Sequence, residues 1–313
     1  MKSILLNIRF ILMRVFMRLF FSQRYREVIL ELEKVRLGVE KKDLADQTYQ
    51  AQKLRQAAHI LEKGMRTEPW KEGRGKEWYQ KAVELQSQIV SEKGVKDPSL
   101  DWASEIIENY KKAQESQKAG LTRFPWEYSG EEKFEVLMNI IKNRRSIRHF
   151  QEKDVETGKL EKVIASINWA PNSCNKQTAK VYCARDPALV EKCLSTSQGA
   201  TGFGENIPVF LSFCSDLRAY SLPKEMQLPL IDASLGIQNS CLVAHSLDLS
   251  LVLLSWANHT REDDKKLRSL LNIPDHFQIV VNGVLGYPAY DIEAPGRKSV
   301  TQTLKIISID SPN

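Results

Sequence analysis

Between residues 24 and 118, leucine, isoleucine, valine and alanine recur every three or four positions, with glutamate, lysine and glutamine between them. That spacing predicts helices with one buried stripe over 24–37, 42–64, 75–93 and 100–118. Gly64, Pro69 with Gly73 and Gly75, Gly94 with Asp97-Pro98, and Gly120 supply the breaks. From Glu131 the pattern changes. β-Branched and aromatic runs at 178–184, 209–214 and 277–285 read as largely buried strands, and Leu253-Leu254 as an apolar strand end. Helices are expected near 131–143, 157–169, 187–198, 227–247 and 261–272. Strands separated by helices imply an α+β domain, a mixed β-sheet flanked by helices, preceded by an all-helical module. The segment Leu228 to Leu247 is apolar or small on nearly every side, which predicts the central buried helix. The organisation read from these patterns is a basic amphipathic helix over 1–26, a helical module over 27–130, and a sheet domain over 131–313.

Charge sharpens the picture at the N-terminus. The formal net charge is +6, and Lys2, Arg9, Arg14, Arg18, Arg24 and Arg26 account for all of it, with no acid before Glu27. The remainder is formally neutral, which argues against nucleic-acid binding, since that needs a concentrated basic face. Residues 1–26 carry too many arginines to span a bilayer and lack a small-residue cleavage site, so neither a transmembrane helix nor a signal peptide is expected. Two readings remain for this segment: a helix lying on an anionic membrane surface, or one packed against the rest of the protein or a second subunit. A cytoplasmic location follows, peripheral at the inner face of the membrane on the first reading. Five scattered cysteines, without C-x-x-C or histidine at ligand spacing, point to a reducing compartment and no metal site.

Candidate chemistry lies in four segments. Arg144-Arg145-Ser146-Ile147-Arg148 follows a helix and sets three guanidinium groups and a hydroxyl within five residues, a combination suited to phosphate. Ala170-Pro171-Asn172-Ser173-Cys174-Asn175-Lys176-Gln177 is a loop dense in amides, whose donors and acceptors suit the edge of a planar heterocycle. Leu254-Ser255-Trp256 offers backbone N–H groups and an aromatic face where a strand ends. Leu285-Gly286-Tyr287-Pro288 turns the chain toward Arg297, a further phosphate ligand. Each segment also has a plain reading as helix end, loop, strand terminus or surface turn.

Together, in this order and spacing, the segments resemble the nitroreductase-like FMN flavoprotein family from about Glu131 to Ile307. The resemblance implies that Arg144, Arg145, Ser146 and Arg297 hold the FMN phosphate. It places Arg148 near the N1–C2 carbonyl edge, and Asn172, Ser173, Asn175 and Gln177 along the ribityl chain or ring edge. Leu254, Ser255 and Trp256 would lie near N5, and Arg148, Ser255 and Trp256 are the catalytic candidates. An FMN-dependent oxidoreductase is implied, moving hydride through N5 to or from a small-molecule substrate, with NAD(P)H as donor and the site built across a homodimer. Many members carry Pro-Trp after the glutamine and glycine near N5, where this chain has Thr178-Ala179 and Trp256; a tryptophan there would stack on substrate or narrow access. That substitution and the basic N-terminus motivate the alternative of a flavin-binding, membrane-surface partner protein with little catalysis. An enzyme that consumes its flavin is a third alternative. His59-Ile60-Leu61-Glu62-Lys63-Gly64 is similar to a motif in a branch associated with polysaccharide-synthesis genes; it would either cover the flavin or form a helix end with a glycine cap.

Overall fold

The computed structural model describes residues 46–66, 71–89, 97–116, 130–200, 202–203, 206–220, 225, 227–257 and 259–307, together with Leu12 and Val15. The basic helix expected over 1–26, apart from those two residues, and the helix expected over 24–37 lie outside them.

Three helices form the N-terminal module. Asp46 caps helix α1 (Gln47–Met65) by accepting the Tyr49 N–H at 3.0 Å. Helix α2 (Lys76–Gln88) starts from Gly75 in the left-handed region, and α3 (Pro98–Ser116) has proline at its first position, where no N–H is needed. Ala57, Ala58, Ala82 and Ala103 are fully buried where the helices meet, with Leu54, Leu61, Ile106 and Tyr110 around them. Small side chains allow that close approach. Helix α1 continues through Gly64, which has no left-handed φ, so the expected glycine cap is not formed; His59 instead lies 3.7 Å from Glu62, which pairs with Arg66 at 2.7 Å.

The remaining described residues form a four-stranded sheet with helices on both faces. In chain order come α4 (Gly130–Asn143), α5 (Thr157–Ala165) with a 3-10 turn at Ser166–Trp169, β1 (Ala179–Ala184), α6 (Pro187–Leu194) and β2 (Val209–Asp216). Then follow α7 (Leu228–Ser246), β3 (Ser250–Leu254), α8 (Arg261–Leu271) and β4 (Phe277–Gly286). The strand order is β1-β2-β4-β3, antiparallel throughout. The α+β architecture is therefore as expected, but the parallel pairing that a mixed sheet requires is not present among the described strands. One face packs on α6 and α8 through Val190, Cys193, Leu267 and Leu271, and the other on α5 and α7 through Val163, Ala233, Ile237 and Ala244. Gly236 lets α7 press onto the turn after α5: a Cβ there would stand 2.7 Å from Ile167 Cγ2 and 3.0 Å from its carbonyl oxygen.

Helix α7 was expected to be buried all round, and in the single chain it is not. Its Asp232, Ala233, Gly236, Ile237 and Ser240 face inward, while Leu230, Ile231 and Leu235 remain exposed. Helix α4 buries no residue and exposes Phe134, Val136, Leu137 and Ile141. Trp169 is 86% exposed, and Leu304, Ile306 and Ile307 lie open on an extended C-terminal segment. Apolar surface on this scale on an isolated chain marks an interaction face. Among the described residues no helix is long and apolar enough to cross a membrane.

Candidate functional site

The arginine segment leaves α4 and is pinned at its buried residue. Ile147 donates its N–H to Ser250 Oγ at 3.2 Å, at the start of β3, and Phe150 bridges to Pro288. Pinning Ile147 turns its neighbours outward: Arg144, Arg145 and Ser146 are half-buried and Arg148 is exposed. Arg144 Nη1 lies 3.5 Å from Ser146 Oγ. Arg145 donates to the carbonyls of Lys142 at 2.6 Å and Glu293 at 3.2 Å, tying the loop that carries Arg297 to the same place. Among the described residues Arg297 donates only to carbonyls of its own loop. Among the described residues none of Arg144, Arg145, Arg148 and Arg297 pairs with a carboxylate. Four uncompensated guanidinium groups raise the local potential and favour an anion. His245, in the last turn of α7, feels that field: burial, then the charges of Arg144 and Arg145, hold it below its ordinary value.

The amide loop is bolted down elsewhere. Cys174, Asn175 and Gln177 all have positive φ, an uphill arrangement for non-glycine residues that persists only when the surroundings impose it. Asp232, nearly buried on α7, accepts from Ser173 N–H at 3.0 Å, Ser173 Oγ at 3.0 Å and Tyr220 OH at 2.9 Å. Burial raises the Tyr220 hydroxyl, keeping it a donor. Asn172 Oδ1 accepts the Gln177 N–H at 2.9 Å, and Gln177 Nε2 donates to Asn175 Oδ1 at 3.1 Å. Much of the amide chemistry expected to face a ligand is thus spent inside the loop, and the Ser173 hydroxyl is committed to Asp232. A shallow open cleft beside it is lined by Ile167, Ala170, Asn172, Gln177 and Asp232.

At the end of β3, Leu254 is fully buried and Ser255 exposed. The Trp256 indole turns into the core with Phe150 and Phe210 and stacks on the His259 ring at 4.5 Å. An indole buried in this way cannot stack on substrate as expected; only the backbone of Trp256 remains for a site. Gly199 packs so closely that a Cβ would stand 2.9 Å from Ser255 N. The same turn carries Phe203, whose ring centroid lies 5.8 Å from the Arg148 guanidinium carbon. The fold therefore gathers Arg144, Arg145 and Ser146 with the loop bearing Arg297, and links Arg148 to Ser255 through the 198–203 turn. It does not bring Asn172, Ser173, Asn175 or Gln177 to them. Ser173 is anchored at Asp232 and the arginines act on His245, positions about 20 Å apart along α7 at 1.5 Å per residue. Two residues here were not picked out as site residues from sequence: Asp232, detectable as a lone carboxylate in an apolar helix, and Phe203, which carried no signal.

The Nitroreductase family profile matches residues 141–200. A protein of Methanothermobacter thermautotrophicus assigned as an NADH dehydrogenase/NAD(P)H nitroreductase is 30% identical over 169 residues, covering 52% of this chain and 82% of its own length. An FMN reductase [NAD(P)H] of Bacillus subtilis is 25% identical over 170 residues, 50% of this chain and 66% of the relative. Among solved structures, an FMN-dependent nitroreductase of Clostridium difficile superposes with a TM-score of 0.48 at 21% identity, over 55% of this chain and 99% of that one.

Proposed function

This chain belongs to the nitroreductase family, and from that premise we propose that it is an FMN-dependent oxidoreductase drawing electrons from NAD(P)H for a small-molecule substrate. The observation that carries the reading is the set of four guanidinium groups without carboxylate partners among the described residues. Arg144, Arg145 and Arg297, with the Ser146 hydroxyl, offer the donors a phosphate dianion needs. Arg148, more exposed than Arg144 and Arg145 and linked to the Ser255 side through the 198–203 turn, supplies a positive charge that favours an anionic reduced ring. Bound FMN would supply two-electron chemistry by accepting and releasing hydride at N5. The N–H groups of Ser255 and Trp256 are the chain's candidates for orienting that edge, and Gly199 packs closely on the backbone of Leu254 and Ser255.

The family relationship also supports a homodimer. Within one chain the arginines and the amide loop lie toward opposite ends of α7. A two-fold partner whose α7 lies antiparallel along the length of this one would set the amide loop of each chain toward the arginines of the other and cover the exposed Leu230, Ile231 and Leu235. The alternative of a flavin-binding protein with little catalysis loses its main ground, because the Trp256 side chain is buried in the core. The polysaccharide-synthesis branch and a membrane-surface role for residues 1–26 remain proposals from sequence.

A titration of flavin fluorescence tests the reading. Arg144→Ala with Arg145→Ala should weaken FMN binding by at least about 100-fold, since each charge-assisted contact is worth about 1.5–3 kcal/mol. Both side chains donate only to backbone carbonyls and Ser146, so the fold should survive. Unchanged affinity in this variant would remove the arginines from the site.

A further inference from the structure

The helical module lies outside the residues that the family profile matches, yet helix α1 makes a polar contact with the amide loop. Arg55, on the buried stripe of α1, is 7% exposed; its Nε donates to the carbonyl of Lys176 at 3.4 Å. Its Nη1 donates to Ser99 Oγ at 3.1 Å and lies 3.6 Å from Asp97 Oδ2, so one guanidinium joins α1, the start of α3 and the loop. The peptide it grips is the one that closes the turn: the carbonyl of Lys176 accepts from Arg55, and the N–H on the other side of that bond, from Gln177, donates to Asn172 Oδ1. Lys176 is held on its own side by Glu225 at 3.1 Å and by the Tyr220 ring. A second tie fixes the loop's exit. Gln52 Nε2 donates to Asp216 Oδ2 at 2.9 Å, Arg218 joins Asp216 to Asp46 at 2.7 Å on each side, and the N–H of Asp216 donates to the Thr178 carbonyl at 3.0 Å.

We infer that Arg55 is a positioning residue through which the helical module imposes the left-handed turn of residues 174–177, and with it the way this loop meets the flavin. The inference rests on the FMN reading above. The sheet domain alone anchors Ser173, before the strained stretch. On its far side the sheet domain holds the side chains of Lys176, through Glu225 and Tyr220, and of Thr178, through Ser215 and Tyr220, and the module adds Arg55 on the Lys176 carbonyl and Gln52 on Asp216. Three non-glycine residues at positive φ need restraint on both sides, and on the second Arg55 contributes a charged hydrogen bond to the backbone itself.

Hydrogen exchange and flavin binding in the full-length protein test this, with Arg55→Gln, Arg55→Lys and Ser99→Ala compared with wild type. Exchange is measured on flavin-free protein. Arg55→Gln should speed exchange across residues 172–178 by about tenfold while β2 and β4 stay protected. It should also weaken FMN binding by about tenfold and shift the bound flavin's absorption bands and midpoint potential. Arg55→Lys should recover part of each change, and Ser99→Ala should give smaller changes in the same direction. If Arg55→Gln does not fold, Ser99→Ala carries the test. Loop exchange and flavin spectrum equal to wild type, with only a lowered melting temperature, would show Arg55 to be structural and overturn the inference. Wild-type protein that takes up no FMN defeats the cofactor reading instead, while the exchange comparison still decides whether the module positions the loop.

Discussion

Replacing Asp232 by asparagine changes few atoms and should release the amide loop. The carboxylate accepts three hydrogen bonds on two oxygens: Oδ1 takes the Ser173 hydroxyl, and Oδ2 takes the Ser173 N–H and the Tyr220 hydroxyl. An amide retains one oxygen. If its nitrogen faces Ser173 N–H, two donors oppose each other; if it faces Ser173 Oγ, that hydroxyl must turn and all three bonds lose their charge. Hydrogen bonds to a charged group contribute about 1.5–3 kcal/mol and neutral ones about 1 kcal/mol, so the net loss is about 2–4 kcal/mol. At about 2–4 °C per kcal/mol for a domain of this size, the melting temperature should fall by about 4–16 °C. Thermal melting followed by circular dichroism reads the loss, and a cycle with Ser173→Ala reads its origin. The pair should show at least about 1 kcal/mol of coupling, because each variant removes the other's partner. Asp232→Asn melting within about 1 °C of wild type, or strict additivity with Ser173→Ala, would refute the assignment of Asp232 as the loop's anchor.

Three further expectations concern assembly, pH and the N-terminus. If each site joins arginines of one protomer to the loop of its partner, refolding Arg144→Ala/Arg145→Ala protomers with Asn172→Ala/Asn175→Ala protomers should restore about a quarter of the wild-type flavin sites, and no recovery would place the site within one chain. Burial alone would raise the Asp46 carboxyl, but hydrogen bonds from Arg218 and the Tyr49 N–H outweigh it and hold the group below its ordinary 3.8. A carboxylate depressed on folding contributes stability above the unfolded value and loses it as pH falls through the folded one. Docking of α1 should therefore weaken below about pH 4, and Asp46→Asn should flatten that part of the stability profile. Deleting residues 1–26 should abolish co-sedimentation with anionic vesicles, at about 1 kcal/mol per basic residue near the surface, and unchanged pelleting would favour packing on protein.

Much of this architecture was legible because it is written in local pattern. The helices over 47–65, 130–143 and 261–271 follow the apolar spacing to within a few residues or better, helped by the Asp46 cap and the Thr260–Asp263 capping box. The arginine group was legible for the same reason, since its chemistry lies within five consecutive residues. What escaped depends on distant partners. Strand direction is set by which neighbours a strand finds, and β2 pairs with β4 across the 60 intervening residues 217–276. The periodicity of α7 registers apolar residues on all sides but not whether the partner for Leu230 and Ile231 lies in the same chain. Trp256 looked like a ligand platform because it follows a strand end; its rotation into the core depends on His259 and Phe150. Arg55 looked like any helix charge until the fold placed Lys176 beside it, 121 residues away.

The central claim is that the arginine cluster holds FMN, and its most direct measurement is the absorption spectrum of the full-length protein purified with excess FMN and desalted, with the flavin released on denaturation identified. The account predicts about one FMN per chain in the wild-type protein and almost none in Arg144→Ala/Arg145→Ala. Wild-type protein that emerges colourless and cannot be loaded would contradict it.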